Sequence, residues 1–205
     1  MRRYTAAMPE SPPIVLASTS QYRRELLRRL QIEFTVEAPQ VDEAALAGEL
    51  PRATALRLAA AKACDVQARH RGAVVIGSDQ VADVDGAALN KPLTHEAALA
   101  QLERMQGRCV VFHTALAVAG PQAAALQAEC VTTVVRMRSL PRASLERYLR
   151  IDQPYDCAGA ARIESLGIAL VDGVESTDPT ALIGLPLIRL TALLQKVGID
   201  VLHAD

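Results

Sequence analysis

Short apolar runs and amphipathic stretches alternate along this chain. Residues 14–17, Ile-Val-Leu-Ala, form a continuous apolar run that predicts a buried strand. Residues 20–31 then carry apolar positions at helical spacing, and residues 33–38 predict a second strand. An Ala-rich helix is expected over 51–69, opening at Pro51, a good first-turn residue. Residues 73–77 read as a buried strand, and residues 81–90 as a hairpin turning at Asp85-Gly86. A helix follows over 94–105. Two long β-rich runs, 109–119 and 127–138, are joined by a loop at Gly120-Pro121. Pro141 opens a helix that runs to residue 150, turn residues fill 152–160, residues 163–172 predict a strand, and a last helix covers 186–197. The pattern predicts an α/β domain with a mixed, elongated sheet and flanking helices. The strands near 109–138, with no helix between them, are expected to form a second lobe. Residues 1–12, interrupted by Pro9, Pro12 and Pro13, read as a loose leader ahead of one two-lobed domain over 13–205.

Several polar residues break this apolar pattern. Ser18, Ser20, Arg23 and Arg24 stand where the first strand turns into a helix. Free N–H groups and the helix dipole favour an anion there, and hydroxyls and guanidinium forks add phosphate contacts. The same residues also suit an ordinary N-cap with a solvated basic face. Lys62 shares a helical stripe with Leu58, Ala59 and Val66, so it either snorkels to water or reaches an anion. Asp79 follows the apolar run 73–77, at the end of a strand where α/β sheets hold their ligands, although Ser78-Asp79 also suits a plain turn. A two-residue turn at Asp85-Gly86 pairs Val84 with Ala87 and Gln80 with Lys91. A regular ladder then points Asp79 away from Lys91, so a shared site requires a bulge or strand end near residues 79–80. Asp42 and Glu43 sit in a loop, where they are either a solvated acidic pair or partners of Asp79 for a divalent cation such as Mg²⁺ or Mn²⁺. Phosphate-binding cations beside carboxylates that activate or position water make a polyphosphate hydrolase the natural reading.

Composition narrows the choice. The 205 residues carry a net charge of −1, which argues against nonspecific nucleic-acid binding. Half the residues are hydrophobic, with no Trp, so the core must be aliphatic. The four cysteines are far apart and form no CxxC pair, so neither a zinc site nor a disulfide framework is implied, and a reducing cytoplasm is the simplest setting. No apolar stretch is long enough to span a membrane. Thiol chemistry at Cys157 finds no evident histidine partner.

The motifs together carry a resemblance. Leu16-Ala17-Ser18-Thr19-Ser20 with Arg23, Val41-Asp42-Glu43, Ala61-Lys62-Ala63, Gly77-Ser78-Asp79-Gln80-Val81, Lys91-Pro92, Asp156-Cys157-Ala158-Gly159 and Ile183-Gly184-Leu185-Pro186-Leu187 occur in the order and spacing of the Maf-like proteins. Over about residues 13–198 the chain is similar to that family of nucleoside triphosphate pyrophosphatases. The resemblance implies a two-lobed fold around a nucleotide-binding cleft, and cleavage between the α and β phosphates. It implies Asp79 as proton acceptor and a divalent cation, for which the residues offer Glu43 and Asp79 as ligands and Ser18, Ser20, Arg23, Arg24, Lys62 and Lys91 as phosphate contacts. A homodimer is common in such families. Asn90 stands where the family usually has Gly; Asn tolerates left-handed backbone, so the turn is expected to survive.

Within the family, Tyr22, Gln80, Glu164 and residues 155–159 resemble the branch acting on 7-methyl-GTP; the sibling branch takes dTTP and UTP. A carboxylate such as Glu164 accepts from guanine N1–H and N2–H, which thymine does not offer. Methylation at N7 leaves the base cationic, which an acidic residue and the Tyr22 face both favour. The alternatives are the sibling specificity, or a nucleotide-binding regulator of division without turnover.

Overall fold

The computed structural model describes residues 12–120 and 126–203. All but Pro12 of the expected leader, and most of the 120–126 loop, lie outside them. The elements are β1 (Ile14–Ala17), α1 (Gln21–Arg28), β2 (Thr35–Glu37), α2 (Pro51–Arg69), β3 (Val74–Val84), β4 (Ala87–Leu89), α3 (His95–Met105), β5 (Cys109–Ala119), β6 (Gln127–Met137), α4 (Arg142–Asp152), β7 (Val171–Ser176) and α5 (Leu187–Lys196). Short 3-10 turns at Ala158–Ala160, Leu166–Leu170 and Ala181–Ile183 complete the second half. No helix among the described residues is long and apolar enough to cross a membrane.

One mixed sheet of seven strands runs in the order β2-β1-β3-β5-β6-β7, with β4 paired to β3. β1 runs parallel to both its neighbours, β2 and β3, and the remaining pairings are antiparallel. The runs at 109–119 and 127–138 are therefore not a separate sheet. The expected strand at 73–77 and the first arm of the 81–90 hairpin are one strand of 11 residues, β3.

Period-two alternation sorts the core. Even-numbered residues of β3 and β5 share one face. At one end of that face Val74, Ile76, Leu116 and Val118 pack under α1 and α5. At the other end Ala82, Val84, Val110 and Phe112 pack under α3 and α4. Odd-numbered residues face α2, whose alanines let it lie close on Val75, Ala115 and Ala117. Gly77 marks the tightest approach: a Cβ there would sit 2.3 Å from the Ala59 carbonyl oxygen. The two lobes are thus the two ends of one long sheet.

Three expectations change. The strand expected at 163–172 is a 3-10 turn followed by β7, which begins at Val171. The reason is local: the backbone at Gly167 lies so close to Arg162 that a Cβ would approach its carbonyl oxygen to 2.3 Å, and the chain coils there instead of extending. Second, β3 has no bulge at 79–80; its register with β5 is continuous from Val75 to Asp83. The turn at Asp85-Gly86 has φ of 54° and 82°, as a two-residue hairpin turn requires, but pairing ends at Ala82–Leu89, before Gln80 can meet Lys91. β1 leaves β3 at Gly77 and β4 joins it at Ala82, so residues 78–81 have no strand neighbour on that edge. Third, Asn90 does not take left-handed backbone; Leu93 does, with φ of 62°.

Candidate active site

The gap in the β3 edge opens into a cleft of about 780 Å³. The loop after β1, the first half of α2, the segment after β4 and residues 156–164 surround it. Every site residue singled out in the sequence lines this cleft except Asp42 and Arg24. Arg24 lies on α1 outside the lining, with a buried Nε that has no partner among the described residues.

The Ser18-to-Arg23 turn is both a cap and a wall of the cleft. Ser20 caps α1 by accepting a hydrogen bond from the Arg23 backbone N–H at 3.4 Å. The Ser18 hydroxyl oxygen accepts from the Ser20 backbone N–H at 3.1 Å. Both hydroxyls act here as acceptors, so their own O–H donors remain for a ligand. Arg23 donates its Nε to the Gly184 carbonyl at 2.9 Å, which leaves its terminal fork without a hydrogen-bonding partner among the described residues. Burial lowers the Arg23 pKa below its ordinary value, and the charges of Asp79 and Glu43 work against that shift.

Lys62 does not snorkel. It is 4% exposed, and its Nζ lies 2.7 Å from Asp79 Oδ1 and 2.7 Å from Glu43 Oε1. α2 brings the ammonium to the odd face of β3, where Asp79 points, and the loop before α2 delivers Glu43. Burial would raise the Glu43 carboxyl, but the Lys62 hydrogen bond and charge, with Lys91 and Arg23 behind them, bring it below the usual carboxylate value. Lys91 is exposed at the rim. Among the described residues no three His, Cys, Asp or Glu side chains form a metal cage. Two carboxylates with oxygens to spare fit a hard cation that completes its shell with water and phosphate. Asp42 turns instead to its own loop, accepting from the Ala44 N–H at 2.9 Å.

Ser78 and Gln80 point to the opposite face from Asp79. There, with Thr114 and Arg23, they hold the chain at residues 181–184. Gln80 Nε2 donates toward the Ala181 and Leu182 carbonyls at 3.1 and 3.0 Å and toward Thr114 Oγ1 at 2.9 Å. Thr114 Oγ1 donates to the Ala181 carbonyl at 2.9 Å. The Ser78 hydroxyl lies 2.8 Å from the Ala115 carbonyl and 2.9 Å from that of Gly184. Gln80 thus has its amide N–H groups engaged, with Oε1 left over.

At the far end of the cleft stand Tyr22, Cys157 and Glu164. The Tyr22 hydroxyl is pushed up to about 12 by burial, then by Cys157 and Asp156. Burial also raises the Glu164 carboxyl and pushes the Cys157 thiol up to about 11. A raised thiol pKa works against the thiolate that nucleophilic chemistry requires. The sequence reading missed Arg162, whose guanidinium carbon lies 5.6 Å from the centre of the Tyr22 ring. Its position two residues before Glu164 was the available signal.

Comparison with known proteins gives consistent matches. A family model described as Maf-like protein matches residues 13–197. A protein of Thiobacillus denitrificans named 7-methyl-GTP pyrophosphatase is 56% identical over 192 residues, covering 94% of this chain and 96% of its own. A protein of Burkholderia thailandensis with the same name is 55% identical over 196 residues, covering 94% and 91%. One from Methylobacillus flagellatus, also so named, is 51% identical over 191 residues, covering 93% of this chain and 100% of its own.

Proposed function

The chain belongs to the Maf-like family, and from that premise we propose that it hydrolyses 7-methyl-GTP to 7-methyl-GMP and diphosphate. The observation that carries the reading is the buried ammonium of Lys62 held by two carboxylates, Asp79 and Glu43, inside a cleft that also presents Ser18, Ser20, Arg23 and Lys91. A plain phosphate-binding module gains nothing from carboxylates beside a polyphosphate; a hydrolase does.

In this reading the cations and hydroxyls hold the triphosphate. The Arg23 fork, oriented through Nε by Gly184, grips phosphate oxygens, and Lys62 and Lys91 neutralise charge. Asp79 takes a proton from water as the water oxygen bonds to phosphorus. The α–β bridging bond breaks, and its electron pair leaves on diphosphate. Glu43 and Asp79 would hold Mg²⁺ or Mn²⁺. When bound, that ion supplies Lewis-acid polarisation and charge neutralisation at the phosphoryl oxygens. At the other end Glu164 accepts from guanine N1–H and N2–H, and Tyr22 offers its face to the cationic base. Gln80 holds the 181–184 segment rather than reading the base, and Arg24 takes no part. The four free thiols suit a reducing cytoplasm. A homodimer is proposed from the family resemblance, and light scattering tests it.

The test measures hydrolysis of 7-methyl-GTP, GTP, dTTP and UTP side by side with Mg²⁺ or Mn²⁺. 7-Methyl-GTP is expected to turn over fastest; faster turnover of dTTP overturns the substrate, and no turnover of any triphosphate overturns the enzyme. Asp79→Asn is expected to lower kcat by about 10²–10⁴-fold while nucleotide binding persists, measured by calorimetry beside the rate.

A further inference from the structure

The two ends of the cleft carry opposite charge. Arg23, Lys62 and Lys91 outnumber Glu43 and Asp79 at the phosphate end, where the remaining lining carboxylate, Glu49, is paired with Arg57. At the base end the balance reverses: Asp152, Asp156 and Glu164 stand against the single guanidinium of Arg162. Asp156 and Glu164 line the cleft, whereas Arg162 lies outside the lining, with its guanidinium carbon over the Tyr22 ring. Its Nη1 donates to the Asp152 carbonyl at 3.1 Å, its Nη2 reaches Asp156 Oδ1 at 3.5 Å, and its Nε is buried without a partner among the described residues. The Asp152 carboxylate is nearly buried, fixed by the Ser165 hydroxyl at 2.6 Å and 3.8 Å from Arg162 Nη1. Arg162 therefore spends its charge on Asp152 and the Tyr22 ring, and only its edge reaches Asp156.

Resting on the 7-methyl-GTP reading, we propose that Asp156 is a specificity-determining residue that favours the cationic N7-methylated base by charge, and that Arg162 is the opposing charge that limits how strongly it does so. GTP and 7-methyl-GTP differ at the base by one methyl group and one positive charge, so a pocket that tells them apart needs a field at the ring. Asp156 supplies a negative one from the cleft side. Arg162 supplies a positive one through the ring it covers, where it also weakens the attraction of the Tyr22 face for a second cation. Asp156 is largely exposed, so water and salt screen it. A single screened charge beside the ring is worth about three- to tenfold in discrimination.

The experiment is the ratio of kcat/KM for 7-methyl-GTP to that for GTP, at mildly acidic pH where the methylated base keeps its charge. Each ratio is taken on one preparation, so partial unfolding cancels. Asp156→Asn is expected to lower the ratio about three- to tenfold, the larger loss falling on 7-methyl-GTP. Arg162→Met is expected to raise it, and Arg162→Lys to bring it back toward the wild-type value. Added salt should shrink the wild-type ratio. Ratios that stay fixed in both variants, or that move in the same direction, overturn the proposal; a shared direction is what structural loosening alone would give. The wild-type substrate ranking tests the activity reading separately. Should dTTP prove the better substrate, competition by 7-methyl-GMP and GMP against dTTP hydrolysis decides the charge question by the same opposite shifts.

Discussion

Lys62 shows what a single residue must satisfy here. An ammonium taken from water into an apolar helix stripe is costly unless it is paired. Asp79 and Glu43 each lie 2.7 Å from it, so the ion is compensated and both acids are held toward the cleft. Gln80 solves a different problem at the neighbouring position. Its N–H groups meet the carbonyls of residues 181 and 182, and the first of these also accepts from Thr114 Oγ1 and the Gly184 N–H. Gln80→Leu should therefore strand the Leu182 carbonyl at about 1–3 kcal/mol, lowering Tm by several degrees, while the 7-methyl-GTP to GTP ratio stays put. A collapsed ratio with unchanged Tm would make Gln80 a base reader after all. The contrast explains what the sequence could reveal. Lys62 and Asp79 are polar outliers in apolar runs, and a local pattern exposes them. The partners of Gln80 lie about a hundred residues away, so its role depends on tertiary contact that no window contains. Arg162 was hidden for the same reason: its ring partner, Tyr22, belongs to another element.

At the scale of elements, α2 is the organiser. Its central alanines lie on β3 across Gly77, which sets Lys62 opposite Asp79. Its first turns also tie down the loop that carries Glu43. Glu49 accepts from the Leu46 N–H at 3.1 Å, from Thr54 Oγ1 at 3.0 Å, and from Arg57 Nε and Nη2, each at 2.7 Å. Arg57 Nη2 also donates to the Ala44 carbonyl at 3.0 Å. The Arg57 hydrogen bonds lead in holding the Glu49 carboxyl down, from 4.5 to about 2. A depressed carboxylate stabilises the fold above its unfolded pKa and loses that contribution as pH falls through its folded one. Glu49→Gln should therefore be less stable than wild type at neutral pH, and their urea midpoints should converge as pH falls from about 4.5 toward about 2. A gap that does not change with pH would mean the carboxylate charge is irrelevant there. The variant should also raise KM for the triphosphate, because the Glu43 loop loses its tether. The helix and its Pro51 start were legible from periodicity. The loop's anchoring was not, because Glu49 and Asp42 look alike in sequence and only contact with Arg57 separates them.

For the whole molecule, the decisive fact is that β3 and β5 run through both ends of one sheet, yet the cleft meets each end with different chemistry. Ser18, Arg23 and Lys62 rest on the clusters under α1, α5 and α2, whereas Cys157, Ala158 and Glu164 lie beside the cluster under α3 and α4. Alternating strands and helices announced an α/β fold. They did not reveal that two separately predicted segments are a single strand, or that its edge is bare over residues 78–81, because strand order is set by nonlocal pairing. A nucleotide in the cleft must bridge the two ends, and its fragments should each grip one. Any ligand that binds only the folded state stabilises it, by about 2.7 kcal/mol at a hundredfold excess over Kd, and suppresses local opening where it binds. Inorganic diphosphate with Mg²⁺ should therefore slow amide exchange over residues 18–23 and around Lys62 and Asp79, leaving 156–164 as in the free protein. 7-Methylguanosine should do the reverse. A non-hydrolysable triphosphate of the methylated nucleoside should protect both segments and raise Tm more than the two fragments together, since one binding event then orders both ends. Equal protection of residues 156–164 by diphosphate alone would show that the ends respond as one body, and the division of the cleft into a phosphate half and a base half would fall.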